Sequence, residues 1–215
     1  MRWQRTAAAL VLVAGSLPAE GQQPTVAVPQ EVAKLQAWID GTRDLACRFE
    51  QTLVSGALGA DVKETGKLWL SRPGRIRWDY LDPEKKTALL LGDRTLLYLP
   101  DDRQLVEGKL EPDQSALPEL LAGKRRIAEA FETFVAPPGP NGVVRLRLVP
   151  KARPEAMTEV VLQLRPPEYA IEGAEVTDGM GNHTAYRFTS VRRNLGVDEA
   201  LFRFQPPAGT TIVSQ

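Results

Sequence analysis

The sequence predicts a mainly β domain of the α+β kind: a curved, mostly antiparallel sheet, open or nearly closed as a barrel, with few helices. Three observations predict it. Short segments with apolar residues at every second position recur along the chain, about ten or eleven of them, separated by clusters of Gly, Pro, Asp and Asn. Only two stretches have helical spacing, one before the first strand and one near the middle. With 215 residues, 43% hydrophobic and 25% charged, the chain has material for one well-filled domain and shows no internal repeat.

The first residues carry Arg2 and Arg5, an apolar run from Ala7 to Gly15, and Ala19-Glu20-Gly21, with small residues at the two positions a signal peptidase inspects. Residues 1–21 are expected to be a cleaved export signal, and residues 22–215 a single exported, soluble domain. The run is too short to span a bilayer, and no cysteine follows it to take a lipid anchor.

After a Pro-containing lead-in, Pro29 is expected at the first position of a helix in which Val32, Leu35 and Ile39 share a face, with Gly41 as the stop. The period then changes to two: Leu45, Cys47, Phe49, Gln51 and Leu53 alternate with their neighbours. Ser55 to Asp61 turns into a second strand, and Gly66 to Tyr80 reads as two strands around a Pro73-Gly74 corner, with Arg72 beside it. Leu68 and Leu70 alternate with Trp69; Ile76, Trp78 and Tyr80 alternate with Arg75, Arg77 and Asp79.

Ala88 to Leu91 and Leu96 to Leu99 are apolar on both faces, so both faces need cover. A short apolar helix at Ser115 to Ala122, followed by Ile127 and Phe131, is the expected cover. Further alternating strands include Val144-Leu146-Leu148, Val160-Leu162-Leu164, Ala174-Val176 and Tyr186-Phe188, with a hairpin at Asp178 to Asn182. A last strand is expected to hold Phe202 and Phe204.

Lys+Arg and Asp+Glu balance at 27 each, so the electrostatic footprint of a nucleic-acid binder is absent and nucleic acid is not an expected partner. One histidine, His183, rules out a His-pair metal site, and its place after a hairpin turn reads as a solvated strand end. Cys47 cannot form an internal disulfide and reads as a buried structural thiol. No nucleophile elbow, phosphate loop or zinc motif is present. No catalytic residue, metal or cofactor is expected, and the chain reads as a non-enzyme.

Gly66 to Tyr80 resembles the LolA-type outer-membrane lipoprotein carriers, whose pattern here is Gly-x-Leu-Trp, then Arg-Pro, then an aromatic-rich strand. Asp93 to Pro100 is similar to the family's Asp-Gly-x-x-Leu and proline, with Asp93-Arg94 standing where the family usually has Asp-Gly. Val149-Pro150-Lys151 resembles its strand ending in Pro-Lys, and Phe49-Glu50-Gln51 its early Phe-x-Gln. Asp198, Phe202, Phe204, Pro206, Pro207 and Gly209 look like its C-terminal signature. The resemblance covers most of Pro29 to Val213.

The resemblance implies an unclosed antiparallel β-barrel, a strongly curved sheet with helices covering an apolar cavity, in a periplasmic monomer. Its cargo would be the acyl chains of lipoproteins, received from an inner-membrane lipoprotein-releasing ABC transporter and passed to an outer-membrane acceptor. Each buried CH₂ contributes roughly 0.8 kcal/mol, which makes such a carrier necessary for crossing water. Arg72 matches the arginine that latches the covering helix, with acceptors expected on carbonyls around Leu120 to Ala122. Candidate cavity residues are Trp69, Ile76, Trp78, Leu89, Leu91, Leu97, Leu120, Leu121, Ile127 and Phe131, of which alternation allows only one set per strand to face inward. Where the family often has a bulky aromatic, this chain has Ile76, flanked by Arg75 and Arg77.

Four alternatives stand beside this reading. The same cavity could serve another acyl lipid or a glycolipid. A stress-sensing lipoprotein detector would need a second domain, for which this chain is too short. A scaffolding β protein would have a filled core. An exported hydrolase would depend on His183.

Overall fold

In the computed structural model of the chain, the described residues are 29–54, 61–110, 120–121, 126–152 and 157–214. The expected export signal, the turn at 55–60 and most of the expected cover at 115–122 lie outside them. A helix α1 (Gln30–Asp40) opens the fold, followed by β1 (Asp44–Val54), β2 (Val62–Ser71), β3 (Arg75–Asp82), β4 (Lys86–Leu91), β5 (Arg94–Leu99) and β6 (Gln104–Lys109). A one-turn helix α2 (Ile127–Ala130) leads into β7 (Phe131–Ala136), β8 (Val144–Pro150), β9 (Met157–Arg165), β10 (Ala170–Asp178), β11 (His183–Arg193) and β12 (Thr211–Ser214).

The strands form one 12-stranded sheet in the order β12-β6-β5-β4-β3-β2-β1-β11-β10-β9-β8-β7. Neighbours are antiparallel throughout except β12 and β6, which run parallel. The fold is therefore mainly β with an unclosed sheet, and β7 and β12 are its two end strands.

Register converts the period-2 pattern into two faces. Leu45, Leu70, Ile76 and Leu90 stand side by side across β1–β4 on the inner face. They share one core with Leu146, Leu148, Leu162 and Leu164 from the far half of the sheet, so the sheet curls until its two halves face each other. Val32, Leu35 and Ile39 of α1 pack into the same core, as their spacing predicts.

The helix starts one residue later than expected. Pro29 has an extended ψ of 141° and precedes the first helical residue, while its carbonyl accepts from Val32 N and Ala33 N. Gly41 ends the helix, donating to Ala37 O at 2.9 Å.

On the outer face, Trp69, Arg77, Leu89 and Leu96 form the neighbouring row. Leu89, Leu96 and Leu105 make a second apolar cluster with Leu91, Tyr98 and Phe204. Phe204 of the C-terminal segment thus packs on this second face, whereas Leu120 and Leu121, the described residues of the cover expected at Ser115–Ala122, pack on the inner core instead. Phe202 and Phe204 do not form a strand: Glu199–Phe202 is a 3₁₀ turn capped by Asp198, whose carboxylate accepts from Ala200 N at 2.9 Å. Arg75 and Arg77 tether that turn. Arg75 pairs with Glu199 at 2.7 Å and lies over the Phe202 ring at 5.2 Å, and Arg77 donates to Leu201 O at 2.8 Å.

Candidate apolar cavity

Inner-face side chains of β1–β3 and β9–β11, with the C-terminal end of α1, enclose a cavity of about 310 Å³. Its wall alternates out of each strand: Leu45 and Cys47 from β1, Leu68 and Leu70 from β2, Ile76 and Trp78 from β3. The opposite wall is Leu162 of β9, Ile171, Ala174 and Val176 of β10, and Tyr186, Phe188 and Val191 of β11. Ala174 sits in register between Leu162 and Tyr186, and so small a side chain between two large ones leaves space open. The volume is about twice that of an apolar cavity of ~150 Å³, which already admits benzene.

The helix that closes one side is fixed in place. Arg193 Nη1 donates to Trp38 O and to Thr42 Oγ1, both at 3.0 Å, and its guanidinium lies 4.8 Å from the Trp38 ring. Earlier in the helix, Lys34 Nζ donates to Tyr169 Oη at 3.2 Å. Tyr169 holds a φ of 59°, an uncommon conformation for a bulky residue, which turns its buried side chain toward α1 between β9 and β10.

Arg72 lies on the cavity wall at the β2–β3 corner. Its backbone N–H donates to Arg43 O at 2.9 Å, whereas its side-chain Nε is buried without a hydrogen-bond partner among the described residues. Burial pulls its pKa below the ordinary arginine value, and the charge of Asp40 opposes that shift.

A polar cluster borders the inner face farther along the strands, where Gln51 is in register with both Glu64 and Tyr186. Gln51 Nε2 donates to Glu64 Oε2 at 3.1 Å, Lys86 pairs with Glu64 Oε1, and Tyr80 Oη donates to Gln51 Oε1 at 3.3 Å. Both carboxylate oxygens of this buried glutamate are engaged, as a buried charge requires. Burial, with the charge of Glu64 adding to it, pushes the Tyr186 phenol up to about 12. Burial likewise pushes the Cys47 thiol up to about 12, so it is a wall residue and a poor nucleophile.

The predicted residues divide. Arg72, Ile76, Trp78 and Leu121 line the cavity. Leu120, Ile127 and Phe131 are buried in the inner core but are not on the cavity wall. Leu97 shares the inner face with Trp78 through the register Trp78–Ala88–Leu97, two strands away from the wall. Trp69, Leu89 and Leu91 are on the outer face, because each is one residue out of step with an inward neighbour. The β9–β11 wall was legible only as alternation, with no signal marking those strands as cavity rather than core. His183 is exposed at the start of β11, with Nδ1 3.0 Å from Thr177 Oγ1.

The profile described as "Outer membrane lipoprotein carrier protein LolA" matches residues 40–205, most of the chain. The chain belongs to the LolA family. A protein of Methylococcus capsulatus named outer-membrane lipoprotein carrier protein is 27% identical over 180 residues, covering 84% of this chain and 86% of its own. A protein of the same name from Azotobacter vinelandii is 29% identical over 195 residues, covering 89% and 92%. Among solved structures, an uncharacterized conserved protein from Thermus thermophilus superposes with a TM-score of 0.54 at 11% identity, covering 86% of this chain and 98% of its own. That likeness is one of fold. The family match spans every strand that walls the cavity and leaves out only Trp38 and Ile39 of α1 among the lining residues.

Proposed function

We propose that the protein is a periplasmic, monomeric, non-enzymatic carrier that shields the acyl chains of lipoproteins in its cavity. It would take them from an inner-membrane ABC transporter and deliver them to an outer-membrane acceptor, after removal of residues 1–21. The observation that carries this reading is an apolar cavity of about 310 Å³ inside a chain that belongs to the lipoprotein carrier family. A scaffold would fill that space with side chains, because an unfilled void forfeits dispersion contacts and destabilises a fold.

Loading and release need two states of similar free energy. Arg72 is the proposed latch: its buried Nε lacks a partner among the described residues, and Leu121 lines the same cavity. In the closed state its guanidinium would donate to carbonyls around Leu120 to Ala122. A few such bonds, about 1.5–3 kcal/mol each, bias the cover shut without making opening prohibitive. Ile76, Trp78 and Leu121 would touch the acyl chains, and α1, held by Arg193 and Lys34, would stay still.

Native mass spectrometry tests this on wild type and Arg72→Leu incubated with a triacylated lipopeptide. Reversible loading of wild type and abnormal retention by the variant are expected. Two folded proteins that both refuse every acyl chain would remove the carrier reading and favour a scaffold.

A further inference from the structure

We propose that the hydroxyls of Tyr186 and Thr184 form a hydrogen-bonding subsite within the cavity for the ester or amide carbonyls of an acylated ligand. The proposal rests on the carrier reading and adds to it a means of telling an attached acyl group from plain hydrocarbon.

Thr184 and Tyr186 are two residues apart on β11, so both project from one face, about 7 Å apart along the strand. Both line the cavity. The third hydroxyl on its wall, Thr42, is already committed: it donates to Trp38 O at 2.7 Å and accepts from Arg193. Tyr186 and Thr184 have no side-chain hydrogen-bond partner among the described residues, and neither is sealed from the space in front of it. Glu64, whose charge reaches Tyr186, has both oxygens occupied by Gln51 and Lys86 and does not compete for the phenol. The phenol remains a donor at any physiological pH.

A hydrocarbon tail offers such donors nothing. The carbonyls that join acyl chains to glycerol or to an amine are the acceptors that travel into an apolar site with the chains, and they lose their hydration on entry. Two donors on a mostly apolar wall, away from the Arg72 corner, restore those bonds and fix how far the chains enter.

The test compares wild type, Tyr186→Phe and Thr184→Val by displacement of the carbonyl-free fluorophore 1-N-phenylnaphthylamine. Competitors are a diester phospholipid, the diether phospholipid of the same chains, and a triacylated lipopeptide. The phenylalanine keeps the ring stacked on Phe188, whose centroid is 6.1 Å away, so the wall survives. Wild type is expected to prefer diester over diether by about two- to tenfold, the range of one net hydrogen bond. Tyr186→Phe is expected to lose most of that preference, and Thr184→Val part of it, with the diester-to-diether ratio read within each protein so that a change in fluorophore affinity cancels. Lipopeptide affinity falling in step assigns the subsite to lipoprotein cargo as well as to phospholipid. A preference absent in wild type, or intact in both variants, overturns the proposal while leaving the carrier reading standing. A wild type that takes neither fluorophore nor lipopeptide sinks the carrier reading and the subsite together.

Discussion

The backbone N–H of Ile127 donates to Gln36 Oε1 at 2.9 Å, although the two residues are 91 positions apart. Gln36 is 8% exposed, and its Nε2 donates to Asp40 Oδ1 at 2.7 Å, so this one amide joins α1 to the first turn of α2 and is satisfied at both ends. The first N–H groups of a helix have no partner within it, and here a side chain from another helix supplies one.

Replacing Gln36 with Ala is therefore expected to leave a buried N–H unsatisfied. The cost should be about 1–3 kcal/mol, read as a lower urea midpoint with an unchanged slope. Hydrogen exchange at Ile127 should quicken more than exchange in β1, because the lost bond is local to α2.

Gly66 is the position where backbone approach leaves no room for a side chain. A Cβ there would stand 2.1 Å from Asp79 O and 2.8 Å from two ring atoms of Phe49. Gly66→Ala is expected to cost at least about 2–3 kcal/mol by forcing β2 and β3 apart, measured as thermal or denaturant destabilisation. An unaffected midpoint would mean that Phe49, which packs edge-on against Tyr80 at 5.1 Å, has freedom to move that its burial argues against.

The outer face depends on the C-terminal cover. Phe202 is 5% exposed and Phe204 packs on Leu89, Leu96 and Leu105. Phe202→Ala is expected to destabilise by about 3–5 kcal/mol. Phe204→Ala should cost less, since that ring is only partly buried, yet increase binding of an apolar dye such as ANS by uncovering the leucines. Arg75→Met separates packing from charge. It removes the exposed pair with Glu199 and should move stability by less than about 1 kcal/mol.

Alkaline pH should act through Cys47. Its folded pKa is raised from 9.0 to about 12 by burial, so the folded state holds a proton that the unfolded state releases. The stabilisation is complete below pH 9 and is lost as pH rises toward about 12, with a slope approaching ~1.4 kcal/mol per pH unit between them. Unfolding curves of wild type and Cys47→Ala taken from about pH 8 to pH 11 should converge as pH rises. The native thiol should react with a disulfide reagent at about pH 8 far more slowly than the denatured one.

Much of this fold is legible in the chain itself. Alternation at Leu45-Cys47-Phe49, Leu68-Leu70 and Ile76-Trp78 specifies strands and their two faces, because the side-chain period of a strand is two whatever surrounds it. The turn residues separate those strands, and the spacing of Val32, Leu35 and Ile39 specifies α1 and its buried face. The same alternation does not say which face is inside, since shifting the choice by one residue exchanges Trp69 with Leu70 and Leu89 with Leu90. That choice was made by distant partners: Leu162 and Leu164 on the inside, and Phe204 on the outside.

Periodicity, turn chemistry and short motifs are local properties of neighbouring residues, and they specified most of the elements, their order and the family to which they belong. Long-range contacts were needed to settle that the C-terminal segment covers the outer face of β4–β6, that β12 pairs with β6 in parallel, and that α1 is pinned by Arg193. They also settled that a cavity remains between Trp78 and Ala174 where a core could have closed. Those contacts join residues far apart in the chain, and no local pattern encodes how a curled sheet divides its apolar surface between packing and empty space.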